Sequence, residues 1–308
     1  MTSPVTEVIP REIPENLLPL LKSFGDFIDE IVNFGSHVLI WETKTARGGD
    51  ENIAPVMLLR HFLDLIDSIS ILARQSCGDT SKVLIRSALE VTFSLEYLLE
   101  KNTNDRSMDF LLIDILNQIK TINKFNPTTK EGSDLYKVLH DEFSFRDLKL
   151  EERYNFKELI SDKEGLLNLP QYSKSYAEYQ RIWQKGVKNP QWYSFYGGPK
   201  NFRELSIYLK QQSLYELLYR KWSGPTHGND IYLGRIMSKE KGGVNIVQLR
   251  YVKDLQEVIE YSVALSLKVF NVFIRKRIPE RINEFQSWYM SIRDIQVKLN
   301  QKKYIVVK

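Results

Sequence analysis

The sequence predicts an all-α protein: a multi-helix bundle with a loop-rich, aromatic insertion between its two helical halves. Three observations predict it. Apolar residues recur at helical spacing over long stretches toward both ends of the chain, as in Leu17, Leu21, Phe24, Ile28 and Ile31. The breaking residues gather in the middle, at Asn126-Pro127, Gly132, Gly165, Pro170, Pro190 and Gly197-Gly198-Pro199. Strand character surfaces only near Gly242-Gly243 beside Val244–Leu249, where the pattern suits a small hairpin.

Taken in order, residues 1–14 read as a Pro-punctuated tail and a first helix runs over about 15–41. The glycines and charges of 46–52 make a loop, and a second helix covers 53–75 until Gly78 breaks the pattern. Asp79 or Thr80 suits the N-cap of a third helix ending near Glu100. A fourth covers 108–125. Short helices are expected at 132–142, 153–160 and 173–186, then at 202–209 and 213–222. Two longer ones close the chain, over 252–277 and 279–297, with Pro279 placed for a first helical turn. As domains, this gives a single helical unit over 15–293, with core helices in 15–125 and 202–293 and an elaboration over 126–201. Residues 294–308 form a C-terminal tail.

Composition narrows the class. With 43% hydrophobic and 27% charged residues, the 308-residue chain has ordinary globular make-up, so disorder and low complexity are excluded as descriptions of the whole. Lys+Arg outnumber Asp+Glu by 43 to 39, too even for a protein that coats DNA but leaving room for a local basic patch. The single cysteine, Cys77, permits no intrachain disulfide and no Cys-based zinc site, and it reads as an ordinary thiol. The most apolar stretch, 258–274, carries Glu260 and Lys268, so a core helix is expected there and no membrane span. The N-terminus lacks an apolar signal core, and the expected compartment is the cytoplasm. Neither a Walker loop, a dinucleotide fingerprint, a His-Glu-x-x-His helix nor a nucleophile elbow is present, so no cofactor and no metal is expected.

Two places carry chemistry. On the third helix, Leu84, Ala88, Val91, Leu95 and Leu98 make one apolar face while Ile85, Leu89, Phe93 and Tyr97 cover most of the other. A helix apolar on nearly all sides belongs in a bundle's centre. Arg86 and Glu90 then meet on one face, and an isolated buried charge is costly, so they are expected to pair with each other or a third group. That pair reads either as a register-fixing ion pair or as the lining of a polar pocket. The second place is the turn after Leu217. A helix delivers Arg220, Ser223-Gly224-Pro225 stops it, and His227-Gly228-Asn229-Asp230 follows. Of four histidines only His227 lies in a polar, Gly-rich turn, where a group able to exchange protons near neutral pH can meet a substrate. Arg220 suits bidentate phosphate binding, with Ser223 and Asn229 as short hydrogen-bonding groups. The plain alternative is a cap at Ser223 and a backbone-bonded His227.

Arg220 and His227, in that order with six residues between them, resemble the Arg–His motif of the HEPN (higher eukaryotes and prokaryotes nucleotide-binding) superfamily. The resemblance implies an all-helical, metal-independent endoribonuclease of toxin–antitoxin, stress or antiviral defence systems, working at a homodimer interface. Arg220 would steady the scissile phosphate and His227 would serve as acid or base while the 2′-OH attacks. A second resemblance covers more of the chain, about 53–277. The segments LIRSALEVTFSLEYLL, WYSFYGGPKNFRELSIYL and LYRKWSGPTHGN are similar to an uncharacterised family of all-helical bacterial domains of unknown function. Its marks are an Arg-Ser-x-x-Glu helix, here Arg86, Ser87 and Glu90, and a later turn, here Tyr219, Ser223 and His227. This likeness implies the helical fold and a meeting of Arg86, Glu90 and His227.

Residues 172–202 hold nine aromatics and five bases against one acid, the composition of a single-stranded RNA platform. Arg181, Lys185, Trp192 and Tyr193 are the candidate RNA contacts. Equally, the aromatics would serve to pack an irregular segment onto the helices. Two functions stay open: a HEPN-like ribonuclease or degenerate relative with RNA as partner, and a non-catalytic helical module for a partner protein or small ligand, in which Arg86, Glu90 and His227 form a structural network.

Overall fold

The computed structural model describes residues 8–142, 145, 148–224, 236–238 and 243–305. The described residues are all-α apart from one small hairpin, and the chain divides into two compact units. The first comprises residues 1–48, 55–101 and 205–308; the second comprises 49–54 and 102–204. The second unit takes in the fourth helix, which apolar spacing alone groups with the core helices over 15–125. That helix has its own apolar face, and the middle segment supplies the partners that cover it.

In the first unit, α1 (Leu18–Lys44), α2 (Ile53–Arg74), α3 (Gly78–Glu100) and the long helix Leu255–Arg277 build the core. Ile28, Ile31, Phe62, Ile66, Ile85, Leu89, Phe93, Phe270 and Phe273 are fully buried there. The helix Leu255–Arg277 packs along α3 and also meets α1 and the last helix, Ile282–Gln301. Close approach depends on Gly35 of α1. A Cβ at that position would lie 2.3 Å from Leu63 Cδ2 and 2.7 Å from Phe270 Cζ. Gly35→Ala is therefore expected to cost about 1–3 kcal/mol through overpacking, read as a fall in the urea midpoint. Phe34, one residue earlier, stacks on Trp288 with ring centres 3.9 Å apart. The last helix, expected to end near residue 297, runs to Gln301 and so takes up part of the stretch 294–308 expected as a tail. Gln256 anchors the end of that helix and the residues beyond it, donating to the Leu299 and Lys302 carbonyls and accepting from the Tyr304 N–H at 2.9 Å. The expected hairpin is present, with Ile236–Ser238 antiparallel to Val244–Ile246 and Ile236 opposite Ile246.

The second unit centres on α4 (Thr103–Phe125) with α5 (Lys130–Asp141), α6 (Phe156–Leu167) and α7 (Ser173–Gln184). Met108, Leu112 and Ile115 of α4 form its core with Tyr172 and Phe195. Thr129 caps α5 by accepting the Gly132 N–H at 3.0 Å.

Candidate functional site

The site residues of the first unit lie on α3 and on the segment after α8 (Phe202–Tyr208). There, α9 (Gln212–Leu214) passes into a π-helical turn, Tyr215–Arg220. The Lys221 N–H reaches the Glu216 carbonyl at 3.0 Å, the wider spacing that defines such a turn. Widening brings Tyr215 and Tyr219 into a stack, ring centres 5.3 Å apart and 20° from parallel. Two buttresses fix the turn's far end. Lys221 pairs with Glu257 at 2.8 Å, and buried Trp222 sets its edge against Tyr261.

Arg86 meets this turn. Its guanidinium carbon sits 4.0 Å from the centre of the Tyr219 ring, a cation–π contact. The Arg86 Nε is buried and has no hydrogen-bond partner among the described residues. Of the two expected arrangements, pairing of Arg86 with Glu90 or with a third group, the described residues show the second for Arg86; it forms no ion pair with Glu90 among them, although it is near enough to draw on the Glu90 charge. An Arg placed before a Glu is the weaker order on a helix, and the Tyr219 face competes for the guanidinium. Glu90 itself keeps solvent access, and partial burial pushes its carboxyl up, with Arg86 opposing. The sequence marks Arg86 and Tyr219 thus do meet, through a contact that spacing alone did not foretell.

Arg220 ends the π turn with its side chain 74% exposed, held only by Glu216 one turn back at 3.3 Å among the described residues. Ser223 is half-buried and helical. His227 and Asn229 lie outside the described residues, so their meeting with Arg86 and Glu90 is not placed. Farther along α3, Glu96 pairs with Lys268 at 2.8 Å; burial pushes its carboxyl up, with Lys268 opposing. Burial likewise pushes the Cys77 thiol up, with Arg250 opposing, consistent with an unreactive thiol.

The candidate RNA contacts fall in the second unit. Trp192 and Tyr193 are buried, Trp192 edge-on to Phe110, so they are corrected from stacking platforms to packing residues. Arg181 is gripped by both oxygens of Glu178, at 2.6 Å each. Lys185 is exposed. Among the aromatics of 172–202, Trp183 is the exposed tryptophan, at 54%.

A cluster that the sequence did not single out lies nearby in the same unit. Asp109 of α4 is only 3% exposed, and one of its carboxylate oxygens has no hydrogen-bond partner. Burial drives its carboxyl up to about 7; Ser175 and Lys174 oppose, while Asp105 and Glu178 add repulsion. Tyr196 beside it is held at φ 54°, donating its N–H to Glu178 at 2.8 Å, and its hydroxyl is pushed up to about 12. The signal was present: Asp109 stands three residues before Leu112, on the face that α4 buries.

Both units share one relationship to known proteins. The sequence profile described as "Family of unknown function (DUF5677)" matches residues 52–244, more than half of the chain. The chain belongs to the DUF5677 family. No curated protein and no solved structure matches it. The DUF5677 match takes in Arg86, Glu90, Tyr219, Arg220 and His227, and it also covers the Asp109 cluster. No described helix of this DUF5677 protein is long and apolar enough to cross a membrane.

Proposed function

We propose that this DUF5677 protein acts on RNA as a HEPN-like, metal-independent endoribonuclease in a bacterial stress or antiviral defence system. The observation that carries the reading is Arg220: a guanidinium 74% exposed, at the end of a π turn of the kind frequent at functional sites, with six residues between it and His227 in the order of the HEPN motif. An exposed guanidinium with one loose intrahelical partner is available to a phosphate, which it can grip with two parallel hydrogen bonds. In this mechanism Arg220 holds the scissile phosphate and His227 takes the 2′-OH proton. The 2′ oxygen attacks phosphorus, the 5′ oxygen leaves with a proton, and a 2′,3′-cyclic phosphate remains. No metal takes part, and a homodimer would bring a second copy of the motif to the site.

The test is incubation of the full chain with total RNA and tRNA in EDTA. Cleavage yielding cyclic-phosphate ends is expected, falling by roughly 10²–10⁴-fold in His227→Ala, the range for lost acid–base catalysis. Arg220→Ala is expected to lose most of the activity as well. Cleavage that persists in both variants, or that vanishes with EDTA, overturns the assignment. A second reading is favoured by one observation. The buried face of Arg86 against Tyr219 suits a packing network in a non-catalytic module for a partner protein or small ligand. Under that reading the wild type leaves RNA intact, while Arg86→Met lowers the melting temperature.

A further inference from the structure

The second unit contains a groove of about 700 Å³ between α4, the start of α5, the end of α7 and the segment 188–191. Its floor is apolar, from Ile113, Leu116 and Ile119 of α4. Lys120, Lys130 and Lys188 stand on its rim, all exposed, against the single acid Glu131. Trp183, half exposed, forms a wall with Tyr179, which itself lies parallel to Tyr176. Four side-chain amides complete the lining, among them Asn117 and Asn123. Asn189 is held in place by Lys120, whose ammonium donates to its side-chain oxygen at 2.7 Å.

We infer that this groove is a binding site for single-stranded nucleic acid, with an unpaired base stacked on Trp183 and backbone phosphates on Lys120, Lys130 and Lys188. Each part answers to one part of that ligand. A solvent-facing indole offers a stacking platform that any base can use. Three lysines against one acid supply a local positive field, which the near-balanced chain as a whole lacks. Amides carry a donor and an acceptor together, matching the mixed edges of bases, whereas an acidic peptide would call for cations alone. Duplex is disfavoured because paired bases cannot present a face to the wall. The volume falls within the range of about 300–1,000 Å³ typical of pockets for compact ligands, suiting one or two nucleotides with the strand running out on either side. The residues are not those singled out from composition: Trp183 and Lys188 take the place of Trp192 and Tyr193.

This deepens the reading of the chain as RNA-directed and rests on it for biological sense, but the two separate experimentally. Anisotropy of a labelled 12-nucleotide RNA, its DNA equivalent, a duplex and a polyglutamate peptide is measured with the full chain over a range of KCl. Tight binding of the single strands is expected, weakened roughly 5- to 150-fold in Trp183→Ala, the span of one lost base stack, and largely restored in Trp183→Phe. The triple variant Lys120→Ala/Lys130→Ala/Lys188→Ala should flatten the salt dependence by about 2 logarithmic units per decade, at about 0.7 for each lost phosphate contact. Preference for RNA over DNA would place a 2′-OH contact in the groove, and equal affinity would place recognition in base and phosphate; both support the site. Single-strand binding by the wild type without any RNA cleavage sinks the nuclease reading alone. Wild-type affinity in both the Trp183→Ala and triple-lysine variants overturns the inference. So does duplex or polyglutamate binding as tightly as the single strand.

Discussion

Glu42→Ala is expected to lower the stability of the first unit by about 3–5 kcal/mol, the cost of stranding a buried cation. Glu42 is 3% exposed at the end of α1, and Arg277, 7% exposed at the end of the helix Leu255–Arg277, donates its Nε to it at 2.9 Å. A second contact, from the Arg277 Nη2, falls on the same Glu42 oxygen, and Arg47 reaches the other oxygen at 3.3 Å. The Arg47 guanidinium also donates to the Arg277 carbonyl, so one carboxylate gathers two arginines and ties the loop after α1 to the far helix end. Removing the carboxylate takes away the acid that the largely buried Arg277 holds through two of its nitrogens. Replacing both members by apolar residues, as in Glu42→Leu/Arg277→Met, removes that penalty and should recover most of the loss. Urea unfolding of the single and double variants checks this. Equal destabilisation in both would mean that packing, not the stranded charge, sets the cost.

The second large effect concerns pH. Asp109 titrates near 7 in the folded chain, against about 3.9 for a carboxyl in an unfolded one. At pH below 4 both states keep the proton and the group contributes nothing. As pH rises from 4 to 7 the unfolded chain releases its proton while the folded one retains it, so the unfolded state gains. Stability therefore falls through this window and levels off above pH 7, by a total on the order of 4 kcal/mol. The charged neighbours are Asp105 on the same helix and Lys174 and Glu178 on α7, with the Ser175 and Tyr196 hydroxyls beside them. Asp109→Asn keeps the shape without the proton equilibrium. Its stability relative to the wild type should rise between pH 4 and 7 and stay constant above. A difference between the two that does not change with pH would show that the Asp109 carboxyl is not held protonated.

The helices were legible because their cause is local. Period-3.6 apolar spacing and the break before α3 act within a few residues, and the observed elements begin and end close to where they set them, although α3 starts at Gly78 and not after the Asp79 or Thr80 expected as its cap. The centrality of α3 was legible for the same reason, since a helix apolar on two faces has nowhere else to go. The choice of Arg86 and Tyr219 as marked residues was also available from the chain.

The contacts those side chains make were not legible. Arg86 had two candidate partners, and the widened turn at Tyr215–Arg220 decided for Tyr219 over Glu90, a matter of one backbone hydrogen bond in another helix. Trp192 and Trp183 look alike among the aromatics of the middle segment, but one is packed against Phe110 and the other faces solvent. Asp109 reads as an ordinary helix acid until the α7 segment covers it and leaves one oxygen without a partner. By itself the sequence determined which segments are helical and which faces are apolar, because backbone geometry and solvent exclusion work over short spacings. Only the tertiary structure decided which polar groups are stranded, stacked or exposed, because that depends on partners far away in the chain, more than a hundred residues away for Arg86 and Tyr219.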